Sequence, residues 1–242
     1  MEELGKFAVE KFGTVSVWIN NAATTGKREP LIDLPVEEVE LVVGTNLMGT
    51  LLGCRTAMRI MREHHGGVIW NVDGSGSRGN ATPGYSLYGA TKRAIPQLTK
   101  TLSRECKKIS SHNRIAVNTM SPGMVLTDLL LKGEVKTNKK VQRVFNILAE
   151  EPETVAETMV PKMRVVEEEF LKGGEARYFS NQYLKMLNAW EALGRFLAWF
   201  FLGRRRHRFW DARGNRIKSD GYVYNDLGVK IPNRKLGREH QA

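Results

Sequence analysis

Apolar residues at Val39, Val42, Val43, Leu47, Leu51, Leu52, Met58 and Met61 recur close to every 3.6 positions. That spacing predicts one long helix that stops at Gly66. Ile95, Leu98 and Leu102 make a similar stripe in YGATKRAIPQLTKTLSRECKK and predict a second long helix. Around these lie three β-rich runs, TVSVWINNAA, GVIWNVDGSGSRG and NRIAVNTMSPGMVLTD, each a strand that passes into a loop of small and polar residues. The opening MEELGKFAVEKFG reads as the back half of a helix, with Phe7, Ala8 and Phe12 near one face and Gly13 just past its end. Helix and strand therefore alternate, which predicts an α/β fold: a doubly wound, Rossmann-like parallel sheet with helices on both faces. Ligands bind such sheets at the carboxyl edge of the strands. The loops NNAA, DGSGS and SPGMVLTD fall on that edge.

A dinucleotide-binding half usually opens with a strand, a glycine-rich turn and a helix, because the backbone must approach the pyrophosphate closely. No Gly-x-x-x-Gly-x-Gly follows an early strand here, and NNAA comes already at residue 20. Against the six-strand plan the sheet reads as N-terminally truncated by about 70 residues. The predicted organisation is a partial Rossmann domain over 1–180, an amphipathic helical segment over 181–210 and a polar, loose tail over 211–242.

Composition narrows the setting. The chain has 242 residues, 41% of them hydrophobic, enough for one sizeable core. Cys54 and Cys106 are too few for a disulfide framework or a metal cluster and read as core residues; no metal constellation is present. No segment reaches the roughly 18 apolar residues that a spanning helix needs, and the N-terminus has neither a secretory apolar run nor an acid-poor transit character. The net charge of +11 allows anionic partners. Five arginines lie in WEALGRFLAWFFLGRRRHRFW, residues 190–210, where Leu193, Phe196, Leu197, Phe200 and Phe201 share a helix face ahead of RRRHR. This is either a helix resting on a membrane surface or one that covers a pocket or subunit contact. No nucleic-acid recognition motif accompanies the arginines, so nucleic acid is not expected as a partner.

Within GYSLYGATK, Tyr88 and Lys92 are four apart and share a helix face. A nearby ammonium favours a phenolate, so this spacing predicts a Tyr88 pKa below its ordinary value of about 10. The plainer alternative is a half-buried aromatic. Tyr85 reads as a packing residue. Pro96 removes a helical hydrogen bond one turn after Lys92, and His64 and His65 read as solvated helix-end residues. Asn46 is a poor helix former inside a helix; its plainer role is a polar residue facing solvent.

These elements, in this order and spacing, resemble the short-chain dehydrogenase/reductase family. NNAA is similar to its N-N-A-G element, with Ala23 in place of glycine. Asn46 in VVGTNLMG matches the family's helix asparagine, and Ser75 lies thirteen residues before Tyr88. YGATK matches the Y-x-x-x-K pair, and SPGMVLTD matches the loop whose threonine, here Thr127, contacts the cofactor. Within the family, AMRIMRE, NVDGSGSRGNATP, SPGMVLTDLLL and PETVAETMVPKMRVV resemble the chlorophyll b reductases of plants and algae. That likeness runs from about Val15 to Val166 and continues weakly through FWDARGNRI. It implies Tyr88 as proton donor, Lys92 as its partner and holder of the nicotinamide ribose, Ser75 on the carbonyl oxygen, and Asn46 holding a relay water. Ser77 is the alternative serine, since similar proteins carry alanine at the Ser75 position. Cofactor contacts are implied at Asn21, Ala22, Ala23, Tyr88, Lys92, Pro122, Gly123, Val125 and Thr127. The implied cofactor is NADPH, with NADH as the alternative. The implied substrate is chlorophyll b or chlorophyllide b, whose C7 formyl group becomes hydroxymethyl, in a thylakoid-associated chloroplast enzyme that forms homo- or hetero-oligomers. The competing readings are a reductase of another bulky apolar carbonyl, or a membrane-associated scaffold that has lost cofactor binding.

Overall fold

The structure, a computed structural model, describes residues 1–108, 114–131, 138–173 and 180–217, with the backbone of 223–224 and 230–231. The remainder of the tail expected to be loose, within 218–242, lies outside the described residues. The chain divides into two compact units, one of residues 1–122 and 156–186, the other of 123–155 and 187–242.

In the first unit the strands β1 (Val17–Asn20), β2 (Gly67–Val72), β3 (Ile115–Ser121) and β4 (Tyr183–Lys185) form one sheet in the order β1-β2-β3-β4. All three pairings are parallel, with Asn20 opposite Asn71, Asn71 opposite Thr119, and Thr119 opposite Tyr183. This is the α/β parallel sheet that the sequence pattern predicts. Side chains alternate between faces along a strand, and every residue of β2 is buried, so both faces of the sheet are covered. One core collects Trp18, Cys54, Ala57, Met61, Ile69, Cys106, Ile115 and Val117. Both cysteines are free and buried, and burial pushes their thiols up to about 11 at Cys54 and about 12 at Cys106.

Three helical stretches surround this sheet differently from their simplest reading. The N-terminal helix α1 (Glu2–Phe12) ends at Gly13, whose φ is 77°, as anticipated. The residue it buries is Gly5, however, while Phe7 and Phe12 face outward. The long helix over VEEVELVV to GTLLGCRTAMRIMRE is interrupted: α2 (Val36–Val43) and α3 (Gly49–Glu63) are joined by a π-helical turn, Gly44–Met48. A π turn inserts one extra residue and redirects the side chains within it. Asn46 sits at its centre. Helix α4 (Ser86–Glu105) continues through Pro96. Proline has no N–H, so the Lys92 carbonyl gets no hydrogen bond from it one turn on.

The second unit holds α5 (Asp128–Leu131), α6 (Lys139–Leu148), α8 (Ala189–Leu202) and the antiparallel strands β5 (Arg216–Ile217), β6 (Val223–Tyr224) and β7 (Lys230–Ile231). Helix α7 (Pro152–Leu171) carries the chain back to the first unit. Asn138 caps α6, its Oδ1 accepting from the N–H of Lys140 at 3.0 Å. Asn188 and Glu191 form a reciprocal capping box at the start of α8, which satisfies two otherwise orphan donors. The core of this unit is Leu126, Phe145, Ala149, Phe209 and Trp210. Asn146 stitches the C-terminal segment to it: Nδ2 donates to the carbonyls of Arg206 and Trp210, and Oδ1 accepts from the N–H groups of Phe209 and Trp210.

Candidate active site

Helix α4 presents Tyr88 and Lys92 one turn apart against the loop that leaves β2. The contact depends on small residues. A β-carbon at Gly74 would overlap Tyr88 Oη and stand 3.4 Å from Lys92 Cγ. Gly76, with φ at 91°, lies against Gly89 of α4, where a β-carbon would meet the Gly89 Cα at 2.8 Å. The glycines of DGSGS and of YGATK are thus two halves of one close approach.

Lys92 is buried, and its Nζ donates to the Val72 carbonyl at 3.0 Å. The ammonium lies 5.7 Å from the centroid of the Tyr88 ring, within reach of a cation–π attraction. Burial lowers Lys92 to about 8, opposed by the nearby Asp73 carboxylate. Burial also pushes Tyr88 up to about 12, and Asp73 adds to that rise. The expected lowering of the phenol by its lysine is therefore reversed in this structure. Desolvation and the Asp73 charge both disfavour the phenolate.

Asn46, only 1% exposed, does not face solvent. Its Oδ1 accepts from the Thr24 N–H at 2.8 Å, while Nδ2 donates to the Thr24 carbonyl at 2.9 Å and to Thr91 Oγ1 at 3.1 Å. The π turn thereby ties the loop after β1 to the residue beside Lys92. A second network runs beneath it. Asn20 donates to Asn71 Oδ1 at 2.8 Å, and Asn71 donates to Thr99 Oγ1 at 3.0 Å.

The two serines part company. Ser75 is exposed, whereas Ser77 is buried and donates to Asp73 Oδ2 at 3.0 Å. Asp73, which sequence reasoning did not single out, also accepts from Tyr183 Oη of β4. The signal for it was the acidic residue in DGSGS, whose partner lies 110 positions away in the chain.

The positions expected to contact a cofactor fall on two units. Asn21 and Ala22 are exposed and Ala23 is half-buried just beyond the carboxyl end of β1, and Pro122 follows β3. Gly123, Val125 and Thr127 belong to the second unit. There Gly123 has a φ of 73° with open space around it, and the Thr127 N–H donates to the Val125 carbonyl at 2.8 Å. Tyr85 stacks under the Arg28 guanidinium at 5.5 Å. Among the described residues no group of three or more His, Cys, Asp or Glu is arranged to hold a metal, and no helix is long and apolar enough to cross a membrane.

A parallel sheet with a tyrosine and a buried lysine one helical turn apart at its carboxyl edge defines an α/β scaffold that places a potential proton donor beside a cation, where such sheets bind ligands. The chain belongs to the short chain dehydrogenase family, whose model matches residues 1–138. It is similar to "Probable chlorophyll(ide) b reductase NYC1, chloroplastic" of Arabidopsis thaliana, at 45% identity over 167 residues, 69% of this chain and 32% of that protein. It is also similar to "Chlorophyll(ide) b reductase NOL, chloroplastic" of Oryza sativa subsp. japonica, at 35% identity over 211 residues, 86% of this chain and 59% of that one. The chain thus spans less than two thirds of the length of either relative. Among solved structures, "ElxO with NADP Bound" shares its fold at a TM-score of 0.58 and 23% identity, over 76% of this chain and 71% of that one.

Proposed function

We propose that this chain carries the catalytic site of an NADPH-dependent reductase that converts the C7 formyl group of chlorophyll b or chlorophyllide b to hydroxymethyl, in the chloroplast. The observation that carries the reading is the packing of Tyr88 and Lys92 against Gly74 at the carboxyl end of β2. The names of the relatives supply the substrate and the compartment.

The residues present suit the nicotinamide end of such a cofactor. Lys92 commits one of its N–H groups to Val72, and an ammonium carries three donors, so it can also bind ribose hydroxyls. Asn21, Ala22 and Ala23 after β1, and Pro122 after β3, are loop residues of the first unit whose backbone a cofactor can approach. When bound, the cofactor supplies the hydride that makes the new C–H bond. The chain's own residues handle the oxygen. Tyr88 transfers its proton to that oxygen, completing the alcohol. Its high pKa keeps it protonated at neutral pH, which suits the reductive direction. Ser75, exposed at the loop, donates a hydrogen bond to the same oxygen, and Asn46 holds the α4 segment next to Lys92.

Helix α8 favours delivery of the substrate from a thylakoid surface. Leu193, Phe196, Leu197, Phe200 and Phe201 are all exposed along it, the last two at 65% and 72%. Such an apolar stripe suits an interfacial helix. The basic run contributes less to this than its composition implies, because Arg205 and Arg208 pair with Glu150.

The test is an assay of the purified protein with NADPH and either chlorophyll b or small aldehydes, with Tyr88→Phe as control. Hydroxymethyl pigment formed by the wild type, and reduced by about 100-fold or more in the variant, is the expected result. Consumption of small aldehydes with untouched pigment would overturn the substrate, and full activity in Tyr88→Phe would overturn the site.

A further inference from the structure

Asp73 stands between the two residues that touch the catalytic pair. The preceding carbonyl, Val72, accepts from Lys92 Nζ at 3.0 Å, and the following residue, Gly74, lies against Tyr88 Oη and Lys92 Cγ. The Asp73 side chain is 4% exposed. Its backbone N–H is fixed to the Met120 carbonyl at 2.9 Å. Oδ2 accepts from Ser77 Oγ and from Tyr183 Oη, so the carboxylate is held from the loop and from β4 together. Oδ1 is buried and has no hydrogen-bond partner among the described residues. A buried, unpartnered carboxylate oxygen is costly unless a positive charge nearby compensates it.

We propose that Asp73 is a positioning residue of this site: clamped by Tyr183 and Ser77, its carboxylate keeps the buried Lys92 ammonium charged beside Tyr88 and so keeps the site loaded with the proton that reduction consumes. Two further cations reach the Tyr183 clamp: Arg78 lies 5.4 Å and Lys185 4.8 Å from the ring centroid, and Arg78 also hydrogen-bonds the Tyr183 side chain. Arg93 donates to the Ser77 carbonyl at 2.9 Å. Lys92 and Tyr88, both on α4, are the remaining titratable neighbours. Burial drives Lys92 toward neutrality and Asp73 opposes it. Without the carboxylate, burial acts on the amine unopposed.

The function assigned to this arrangement rests on the reductase reading, but its test needs neither pigment nor cofactor, so the two can fail separately. The full chain carrying 13C-labelled lysine is titrated between pH 6 and 10 by NMR, with the Lys92 signal identified by its loss in Lys92→Met. Asp73→Asn is expected to lower the Lys92 midpoint by about one pH unit, a tenfold change in its protonation ratio. Loosening of the structure cannot mimic this, because water entry would raise the midpoint toward that of an ordinary lysine. A midpoint that stays or rises overturns the proposal. Tyr183→Phe keeps the charge and removes one clamp, so its midpoint should hold or rise; a fall matching that of Asp73→Asn would also overturn it. Asp73→Ser, read in the same way, serves if Asp73→Asn does not fold.

Discussion

Asn46 grips the backbone of Thr24 from both sides, accepting from its N–H at 2.8 Å and donating to its carbonyl at 2.9 Å. The same amide reaches Thr91 on α4. One side chain in a π turn therefore holds the loop after β1 to α4. Asn46→Leu would leave the Thr24 N–H and carbonyl unpaired in a half-buried place. We expect a loss of about 3 kcal/mol, measured by urea unfolding, together with higher KM for the cofactor as the loop after β1 comes loose.

Gly74 has no room for a side chain because Tyr88 Oη occupies that space. Gly74→Ala should push the phenol aside while leaving the sheet intact. A displacement near 1 Å at a reacting group is enough to cost about 100-fold in rate, so kcat should fall by about that factor. Stability should fall by only about 1–3 kcal/mol, as in other overpacked sites.

Lys92 gives a stability effect with a definite sign. Its folded value, about 8, lies below the ordinary 10.5. Between these values the unfolded chain binds more protons than the native one, so this group makes stability rise with pH across that window. Below about pH 8 the buried charge costs about 3 kcal/mol. Lys92→Met removes that cost, along with the hydrogen bond to Val72. The variant's stability relative to wild type should therefore be greatest near pH 7 and should decline toward pH 10. Denaturant titrations at pH 7, 8.5 and 10 check this. Tyr88 has the opposite sign: its folded value of about 12 makes stability fall as pH rises above about 10.

In the second unit one buried carboxylate, Glu150, meets Arg195 at 2.7 Å, Arg205 at 3.2 Å and Arg208. Burial alone would raise its pKa, but the hydrogen bond and charge of Arg208, with Arg205 and Arg195, outweigh it and hold the carboxyl below its usual range. The pairing therefore stabilises above the ordinary carboxylate pKa and is lost as pH falls through the lowered one. Glu150→Gln leaves three guanidinium groups facing one another. We expect a loss of about 3–5 kcal/mol, with Phe209 and Trp210 exposed, seen as a red shift in tryptophan fluorescence.

Much of the sheet was legible because its signals are local. Period and turn residues placed β1, β2, β3 and α4 within a few residues, and five short motifs in series pointed to the family that the comparisons support. The π turn was not legible, since Val43 and Leu47 continue an apolar stripe whether or not one extra residue is accommodated. Nor was the outward placement of Phe7 and Phe12, because an amphipathic pattern shows which residues share a face but not what covers it. The arginines of RRRHR read as one surface patch, yet Arg205 and Arg208 turn inward to Glu150 and Arg206 donates back to the Trp199 and Phe200 carbonyls at the end of α8.

What the sequence determined by itself was the alternation of strand and helix, the carboxyl-edge loops and the four-residue spacing of Tyr88 and Lys92, all of which follow from neighbours along the chain. Only the tertiary structure decided the electrostatic state of that pair. Burial and the Asp73 carboxylate raise the phenol and burial lowers the amine, and Asp73 is itself held by Tyr183 from a strand far along the chain. Desolvation and distant charges depend on what surrounds a group in space, and residue spacing carries no record of either.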